Sequence, residues 1–159
     1  MTDTLSDQLD AGPLSGLLVV DLTRVLAGPF ATMMMADLGA RVVKVERPDT
    51  GDDSRAYGPF VDGRSTYFAR VNRGKQSVAL DLKDPADLGV LRGMVARADV
   101  LVENFRPDVM DRLGLGYEEL AADNPGLVYA SISGFGQTGP CWSRWPSGPT
   151  CWWRTSGPG

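Results

Sequence analysis

Short runs rich in Val and Leu alternate with helical segments along most of this chain, and this alternation restricts its fold more than any other feature. "GLLVVDLTRV" has the composition of a buried strand, and "RVVKVERP" is a second such run that ends at Pro48. The segment between them, "AGPFATMMMADLGA", has Pro29 near its start and Gly39 near its end, as helices often do. The pattern therefore predicts an α/β domain with a mostly parallel sheet.

The same pattern continues to residue 132. The segment "DPADLGVLRGMVARAD" predicts a helix that is capped by Asp84 and has Pro85 at its first position. "RPDVMDRLGLGYEELAADNPG" predicts two short helices separated by Gly, and "DTGDDSRAYGPFVDGRST" has the composition of a loop. A length of 159 residues suits one domain, which we place at residues 16–140 after a flexible lead-in at residues 1–15. The predicted strands lie near residues 17–22, 41–46, 78–82, 100–104 and 127–132.

Composition argues against several classes of protein. The net charge is −4 and the basic residues are scattered, so no nucleic-acid partner is expected. No apolar run approaches the ~20 residues that span a bilayer, and the first residues are acidic and polar, unlike a signal peptide. We therefore expect a cytoplasmic protein without a membrane partner.

Cysteine and histidine content limits the chemistry further. Cys141 and Cys151 are too few for a disulfide framework, and without His they make a poor zinc site, so no metal is expected. The chain has no His at all, which excludes Ser-His and Cys-His nucleophilic catalysis.

The end of the first predicted strand is a candidate ligand site. Arg24, Val25 and Leu26 follow it directly, and open α/β sheets bind ligands at the carboxyl ends of their strands. The helix that follows offers free N–H groups to an anion. Alternatively, Gly28 and Pro29 only shape a turn there.

The second predicted strand ends in Glu46 and Arg47, where a dinucleotide-binding domain meets a ribose or its phosphate. The first turn lacks G-x-G-x-x-G, which argues against an NAD enzyme, and a solvated charge pair is the alternative. Arg73, Lys75 and Lys83 add cations near strand ends. Each alone suits a protein surface, whereas together they suit a polyanionic ligand.

A third candidate group lies in "ENFRPDVMDRLG". Asn104 and Phe105 end a predicted strand, and Arg106 and Arg112 flank the start of the next helix. An aromatic ring, an amide and a guanidinium together suit an adenine and phosphate pocket. The Gly-rich "SGFGQTGP" after the last strand predicts a flexible turn of the kind that can cover an active site.

In their order, these motifs resemble the amino-terminal third of the family III CoA-transferases, which include formyl-CoA transferase, carnitine CoA-transferases and α-methylacyl-CoA racemases. "VENFRPDVMDRLGLGYEEL" and "ISGFGQTGP" carry the resemblance most specifically, and it covers residues 13–140. It implies a Rossmann-like CoA-binding domain that is truncated here, a smaller second domain and an interlaced homodimer, which this fragment is not expected to form properly.

The resemblance also implies the ligand and its contacts. Coenzyme A and acyl-CoA would be substrates, with a carboxylic acid as acceptor and no tightly bound cofactor. The implied CoA contacts include Leu80, which the sequence pattern alone places in the core. The full implied set is Val25, Leu26, Arg47, Leu80, Lys83, Asn104, Phe105 and Arg112.

Catalysis in the family's transferases depends on an aspartate that forms mixed-anhydride and aspartyl-CoA intermediates, and this residue follows "TGP". The racemases use a His and an Asp, also beyond "TGP". In this chain the aspartate is expected after Pro140, the last residue of "TGP", but "CWSRWPSGPTCWWRTSGPG" follows and contains no Asp, Glu or His. The resemblance therefore implies a CoA-transferase whose chain, as given, has no catalytic residue and is inactive. A CoA-binding remnant or regulatory module without catalysis, and a racemase of the same family, are the alternatives.

Residues 141–159 differ in composition from the rest and hold all four Trp and both Cys. Trp, Cys, Arg, Gly, Pro, Ser and Thr are residues that GC-rich DNA tends to encode out of frame. We hypothesise a shifted reading frame after Pro140, with a genuinely divergent tail as the alternative. The segment has no apolar period, so it is expected to be irregular.

Overall fold

A computed structural model describes residues 12–134 and 136–137, and the backbone of residues 152–155. Its strands are β1 (Leu18–Asp21), β2 (Arg41–Glu46), β3 (Phe60–Val61), β4 (Arg64–Ser65), β5 (Gln76–Ala79), β6 (Val100–Glu103), β7 (Val128–Ser133) and β8 (Trp152–Thr155). Its α-helices are α1 (Ala27–Asp37), α2 (Thr66–Asn72), α3 (Pro85–Val95), α4 (Val109–Arg112) and α5 (Tyr117–Asp123), with a 3₁₀ turn at Asp53–Ala56.

The main sheet has the strand order β5-β2-β1-β6-β7-β8. All its neighbouring strands pair in parallel, except that β8 runs antiparallel to β7. The predicted α/β fold with a mostly parallel sheet is therefore confirmed. The largest difference in bounds is at β5, which lies closer to the amino terminus than the strand predicted at 78–82.

Both faces of this sheet are covered, which explains the unbroken Val and Leu runs in its strands. Val20 and Leu101 belong to one buried cluster, which includes Leu91 from α3. Val19 and Val42 belong to a second cluster, against which residues of α1 pack. Parallel strands with helices on both faces leave no side of the strand for solvated side chains.

Helix α3 begins as its sequence predicts. The carboxylate of Asp84 accepts hydrogen bonds from the backbone N–H groups of Ala86 and Asp87, and Pro85 is the first helical residue. Leu91 and Val95 are buried against the sheet. The N-cap, the proline and the apolar face therefore all indicate the same helix, and this helix connects β5 to β6.

The segment predicted as a loop after β2 contains more structure than its composition indicates. Asp52 caps the 3₁₀ turn by accepting from the N–H of Ser54, and β3 and β4 form a small antiparallel hairpin. Ser65 then caps α2 by accepting from the N–H of Phe68. Local side-chain caps produce these short elements, and a search for hydrophobic periodicity does not detect them.

Four residues of the segment expected to be irregular form a strand. Trp152–Thr155 pairs with β7, which would otherwise have an unpaired edge, and Trp and Thr favour strands. The rest of residues 141–159, including both cysteines, lies outside the described residues, as do residues 1–11. Among the residues that the structure describes, no helix has both the length and the apolar character needed to cross a membrane.

Candidate functional site

The strand order reverses direction at β1. From β1 the chain adds β2 and β5 on one side and then β6 and β7 on the other, so the carboxyl ends of β1 and β6 border the switch point. Residues 22–26 follow β1, and Asn104 and Phe105 follow β6. Ligands of open α/β sheets bind in the crevice at this position, which makes these two loops the first place to look for a site.

Asn104 holds the loop after β1 by its backbone. The N–H of Arg24 donates to Asn104 Oδ1 at 2.9 Å, and Asn104 Nδ2 donates to the carbonyl oxygen of Arg24 at 2.9 Å. The guanidinium of Arg24 lies 5.5 Å from the centroid of the Phe105 ring. The two residues at the end of β6 therefore fix the position of Arg24.

A cavity of about 260 Å³ opens beside this loop. Its lining includes the apolar side chains of Leu22 and Leu80 from the strand ends and of Leu113 after α4, together with Phe105. The charged residues of the lining are four cations, Arg24, Lys44, Arg47 and Lys83, and three acids, Glu46, Asp52 and Asp81. Lys44, Glu46 and Asp52 are buried in ion pairs, so the accessible charges of the lining are those of Arg24, Arg47, Lys83 and Asp81. Asp53 pairs with both arginines from outside the lining. The accessible lining charges are thus mainly positive, and beside the apolar residues they suit a ligand with a flat apolar part and an anionic part.

Four of the eight residues expected to bind CoA line this cavity, namely Arg47, Leu80, Lys83 and Phe105. Leu80 is also buried, which confirms its placement in the core, while its contact with CoA stays a prediction.

The other four expected residues do not line the cavity. Asn104 is committed to the backbone of Arg24, and Val25 donates its N–H to Asp52 Oδ1 at 3.1 Å. Leu26 is exposed at the start of α1. The Nε of Arg112 donates to the carbonyl oxygen of Asp108, at the end of α4 next to the lining residue Leu113.

The position expected for a catalytic aspartate cannot be placed relative to this cavity. Pro140 and the residues that follow it up to Cys151 lie outside the described residues. The sequence has no acid after Asp123, so no residue of this chain fills the expected position after Pro140. That the chain has no catalytic residue stays a prediction.

A buried ion pair that the sequence analysis missed lies beneath the loop after β1. Lys44 Nζ is 2.9 Å from Asp52 Oδ2, and the side chains of the pair are 1% and 0% exposed. Lys44 also donates to the carbonyl oxygen of Thr23 at 2.7 Å. Burial raises the pKa of Asp52, but hydrogen bonds from Lys44 and Ser54 outweigh it, so the net pKa is below its ordinary value.

Glu46 is part of a second network and is not free for a ribose. Its carboxylate accepts from Arg55 at 2.7 Å through both oxygens, from Ser77 Oγ at 2.7 Å and from the N–H of Asp52 at 3.0 Å. Burial raises the pKa of Glu46, and these hydrogen bonds outweigh it, so its net pKa is lowered. The Arg55 guanidinium also lies 3.7 Å from the centroid of Phe68.

Two of the cations predicted near strand ends lie away from the cavity. Lys75 is buried against Asp21 at 2.9 Å and donates to the carbonyl oxygen of Pro29 and to Asn72 Oδ1, and its burial lowers its pKa. Arg73 pairs with Asp37 instead. Neither residue lines the cavity, so of these three cations only Lys83 lies where the structure offers a site, and contact with a polyanionic ligand stays a prediction.

One sequence signal for the missed pair exists. Lys44 interrupts an otherwise apolar strand, "RVVKVE", and a lysine within a two-sided parallel sheet has to be buried with a partner. The identity of that partner does not follow from the pattern, because Asp52 comes from an irregular segment with several other acids.

The fold and crevice define a doubly wound α/β domain with a cationic site at its switch point. The chain belongs to CoA-transferase family III, whose family model matches residues 14–158. This range extends past Pro140, into the segment for which a shifted reading frame is hypothesised, and that hypothesis stays a prediction.

Curated relatives agree with this assignment. The chain is 63% identical over 129 residues to acetyl-CoA:oxalate CoA-transferase of Acetobacter aceti, a match covering 81% of this chain and 33% of the relative. It is 51% identical over 140 residues to succinyl-CoA:glutarate CoA-transferase of Homo sapiens, covering 87% and 32%. The chain thus spans about a third of the length of these relatives.

Solved structures agree as well. A crystal structure of a CAIB/BAIF family protein from Brucella suis matches with a TM-score of 0.79 and 47% identity, covering 84% of this chain and 36% of that one. Rv3272 from Mycobacterium tuberculosis matches with a TM-score of 0.77 and 42% identity, covering 84% and 36%.

Proposed function

We propose that this chain forms the coenzyme A-binding part of an enzyme that transfers CoA from an acyl-CoA to a carboxylic acid. The observation that carries the proposal is the cavity at the switch point, with its apolar interior and the accessible cationic side chains of Arg24, Arg47 and Lys83. Coenzyme A has an apolar adenine ring and several phosphate charges in one half of the molecule. Its chemistry therefore matches both parts of this site.

Each part of the cavity has a proposed role. Phe105, Leu22 and Leu80 would contact the adenine ring, and Arg24 lies at the Phe105 ring and would border the same face. Arg47 and Lys83 would meet the phosphates through charge-assisted hydrogen bonds. A volume of about 260 Å³ is small for a whole cofactor, so the pantetheine arm would lie outside the cavity.

The remaining proposed contacts belong to the loops around the cavity. Val25 and Leu26 follow β1, Asn104 follows β6, and Arg112 ends α4. Asn104 would act through the backbone of Arg24, since both polar atoms of its amide already bind there.

We propose that transfer proceeds by covalent catalysis at an aspartate. Its carboxylate attacks the acyl-CoA carbonyl and displaces the CoA thiolate, giving a mixed anhydride, and the thiolate then attacks the aspartyl carbonyl to release the donor acid. The acceptor carboxylate repeats these steps in reverse. Small dicarboxylates are the acceptors to test first, because oxalate and glutarate appear in the names of the relatives.

The 159-residue chain alone is proposed to be inactive in this reaction. It has no acid after Asp123, hence none after Pro140, and no His. Asp21, Glu46 and Asp52 at the base of the crevice are buried and each is paired with a cation, so none is an available nucleophile. Asp81 is exposed and lines the cavity, but it does not occupy the position after Pro140 where the nucleophile is expected. A homodimer of the whole protein and a cytoplasmic location stay predictions.

The test is calorimetric titration of the 159-residue chain with CoA. Replacing Arg47, Lys83 and Arg112 together with Ala should abolish measurable binding, because each phosphate contact contributes about 1.5–3 kcal/mol, roughly tenfold or more in affinity. The triple replacement of Arg41, Arg70 and Arg97, which lie outside the cavity lining, is the control with the same change of charge. Wild-type affinity in the first variant would dismiss the pocket.

A further inference from the structure

We infer that the buried Lys44–Asp52 pair is a positioning device that holds Arg24 in place to meet coenzyme A. The inference rests on the proposed function and extends it to two residues outside the expected binding set. Neither Lys44 nor Asp52 has to touch the ligand for this role, since both act through the loop after β1.

The two members of the pair hold the loop on either side of Arg24. Lys44 Nζ donates to the carbonyl oxygen of Thr23 at 2.7 Å, and Asp52 Oδ1 accepts from the N–H of Val25 at 3.1 Å. Asn104 binds both backbone polar groups of Arg24 itself. Three consecutive residues are therefore fixed by side chains from β2, from the segment after β2 and from the end of β6.

The loop needs this support because its backbone is strained. Val25 has φ 72°, a conformation that a β-branched residue rarely adopts and that costs roughly 1–3 kcal/mol. Asp52 is itself fixed, since it accepts from the N–H and Oγ of Ser54 and donates its own N–H to Glu46 Oε2. A rigid acceptor on the Val25 N–H can hold the strained conformation where a solvated loop would relax.

The consequence for the site is the placement of the Arg24 guanidinium. It lines the cavity, lies 5.5 Å from the Phe105 ring centroid, and its side chain is 37% exposed. The side chain also pairs with Asp53 at 3.4 Å, an exposed contact that solvent screens, so it keeps conformational freedom that it loses on binding. A fixed backbone reduces the ordering that remains. A buried ion pair is a weak contributor to stability compared with apolar residues of the same size. Positioning Arg24 accounts for the pair better than stability does.

The first test is a double-mutant cycle on CoA affinity. K44M/D52A removes the hydrogen bonds that Lys44 and Asp52 make to the loop, and it leaves no uncompensated buried charge. We expect this variant to weaken CoA binding about tenfold. R24A should weaken binding by a similar factor. If the pair acts through Arg24, adding K44M/D52A to R24A should weaken binding no more than about twofold further, because the side chain that it positions is already gone.

Two further variants separate positioning from a general loss of stability. K44M/D52N keeps an amide oxygen for the Val25 N–H and should recover part of the affinity, and it serves as the test variant if K44M/D52A does not fold. V95A removes buried apolar contact at the far end of α3, next to the amino end of β6, and should lower stability without changing the CoA dissociation constant. Urea unfolding of all variants supplies the comparison.

Hydrogen exchange in the absence of ligand tests whether the buried pair holds the Val25 N–H. The Val25 amide should be protected from hydrogen exchange in the wild-type chain and should exchange faster in K44M/D52A than in V95A. Wild-type affinity in K44M/D52A, full additivity with R24A, or an unprotected Val25 amide would overturn the inference while the proposed function stands. A folded wild-type chain that does not bind CoA would overturn the proposed function and this inference with it.

Discussion

Replacing Arg55 with Ala tests how the base of the crevice is held together. Arg55 donates two hydrogen bonds of 2.7 Å to Glu46 and covers the Phe68 ring at 3.7 Å. The variant removes all three contacts at once. It leaves a carboxylate that is 4% exposed with only Ser77 and the Asp52 N–H as partners.

The expected magnitude follows from how deeply the pair is buried. Exposed ion pairs contribute roughly 0.2–1 kcal/mol, whereas breaking a buried pair costs about 3–5 kcal/mol. The Arg55 side chain is 44% exposed, so solvent screens part of the interaction. We therefore expect R55A to lower the free energy of unfolding by about 2–3 kcal/mol, which corresponds to a fall in Tm of about 4–12 °C.

Urea unfolding, followed by far-ultraviolet circular dichroism, measures this free energy of unfolding. Repeating the measurement at several pH values tests the contribution of the Glu46 charge. The pKa of Glu46 in the folded chain is below its ordinary value of 4.5, so the stabilisation is complete above the unfolded pKa and is lost as pH falls through the folded one. The difference between wild type and R55A should accordingly be largest at neutral pH and shrink on acidification.

The control is E46Q/R55A, in which a neutral amide replaces the carboxylate that lost its partner. This double variant should be more stable than R55A alone at neutral pH, because an unpaired buried charge costs more than a buried amide. A loss below about 0.5 kcal/mol in R55A, or no recovery in the double variant, would refute the account of a buried carboxylate that depends on Arg55.

Three other substitutions have defined outcomes. G28A places a Cβ 2.3 Å from the Thr23 Cβ, so it should destabilise the chain by about 1–3 kcal/mol in urea unfolding. D84A removes the cap of α3 and should cost about 1 kcal/mol by the same assay. Burial raises the pKa of Glu103, so its ionised form destabilises the fold above that pKa. E103Q should therefore unfold at higher urea than wild type at neutral pH and lose this advantage at acidic pH.

The sheet could be predicted from the sequence because every signal for it is local. A strand that is buried on both faces has an unbroken apolar sequence. Asp84 and Pro85 mark the start of α3. The order of the strands then puts Arg24, Asn104 and Phe105 at one edge, and the structure places them in contact. The positions of the strand ends follow from the topology alone.

The pairing of charges below the site could not be predicted in the same way. A charged residue in a sequence usually lies in solvent, and the positions of the cations near strand ends indicate either a solvated surface or a polyanionic ligand. The sheet instead buries Lys44 and Lys75, and each then has to find a carboxylate. The carboxylate that pairs with Lys44 comes from an irregular segment that folds back over the strand ends. The hydrophobic periodicity of the sequence does not predict how that segment folds.

The difference between Lys75 and Lys83 shows what decides whether a cation can serve the site. The sequence predicts the same role for both residues, because each lies next to β5. Lys75 precedes the strand and is enclosed with Asp21, whereas Lys83 follows it, is exposed and lines the cavity. Binding sites of parallel sheets lie at the carboxyl ends of strands, so a cation after a strand is available to a ligand and one before it is not. Applied to β2, the same rule predicts that Arg47 meets the ligand, whereas Lys44, inside the strand, holds the loop by its hydrogen bond to Thr23.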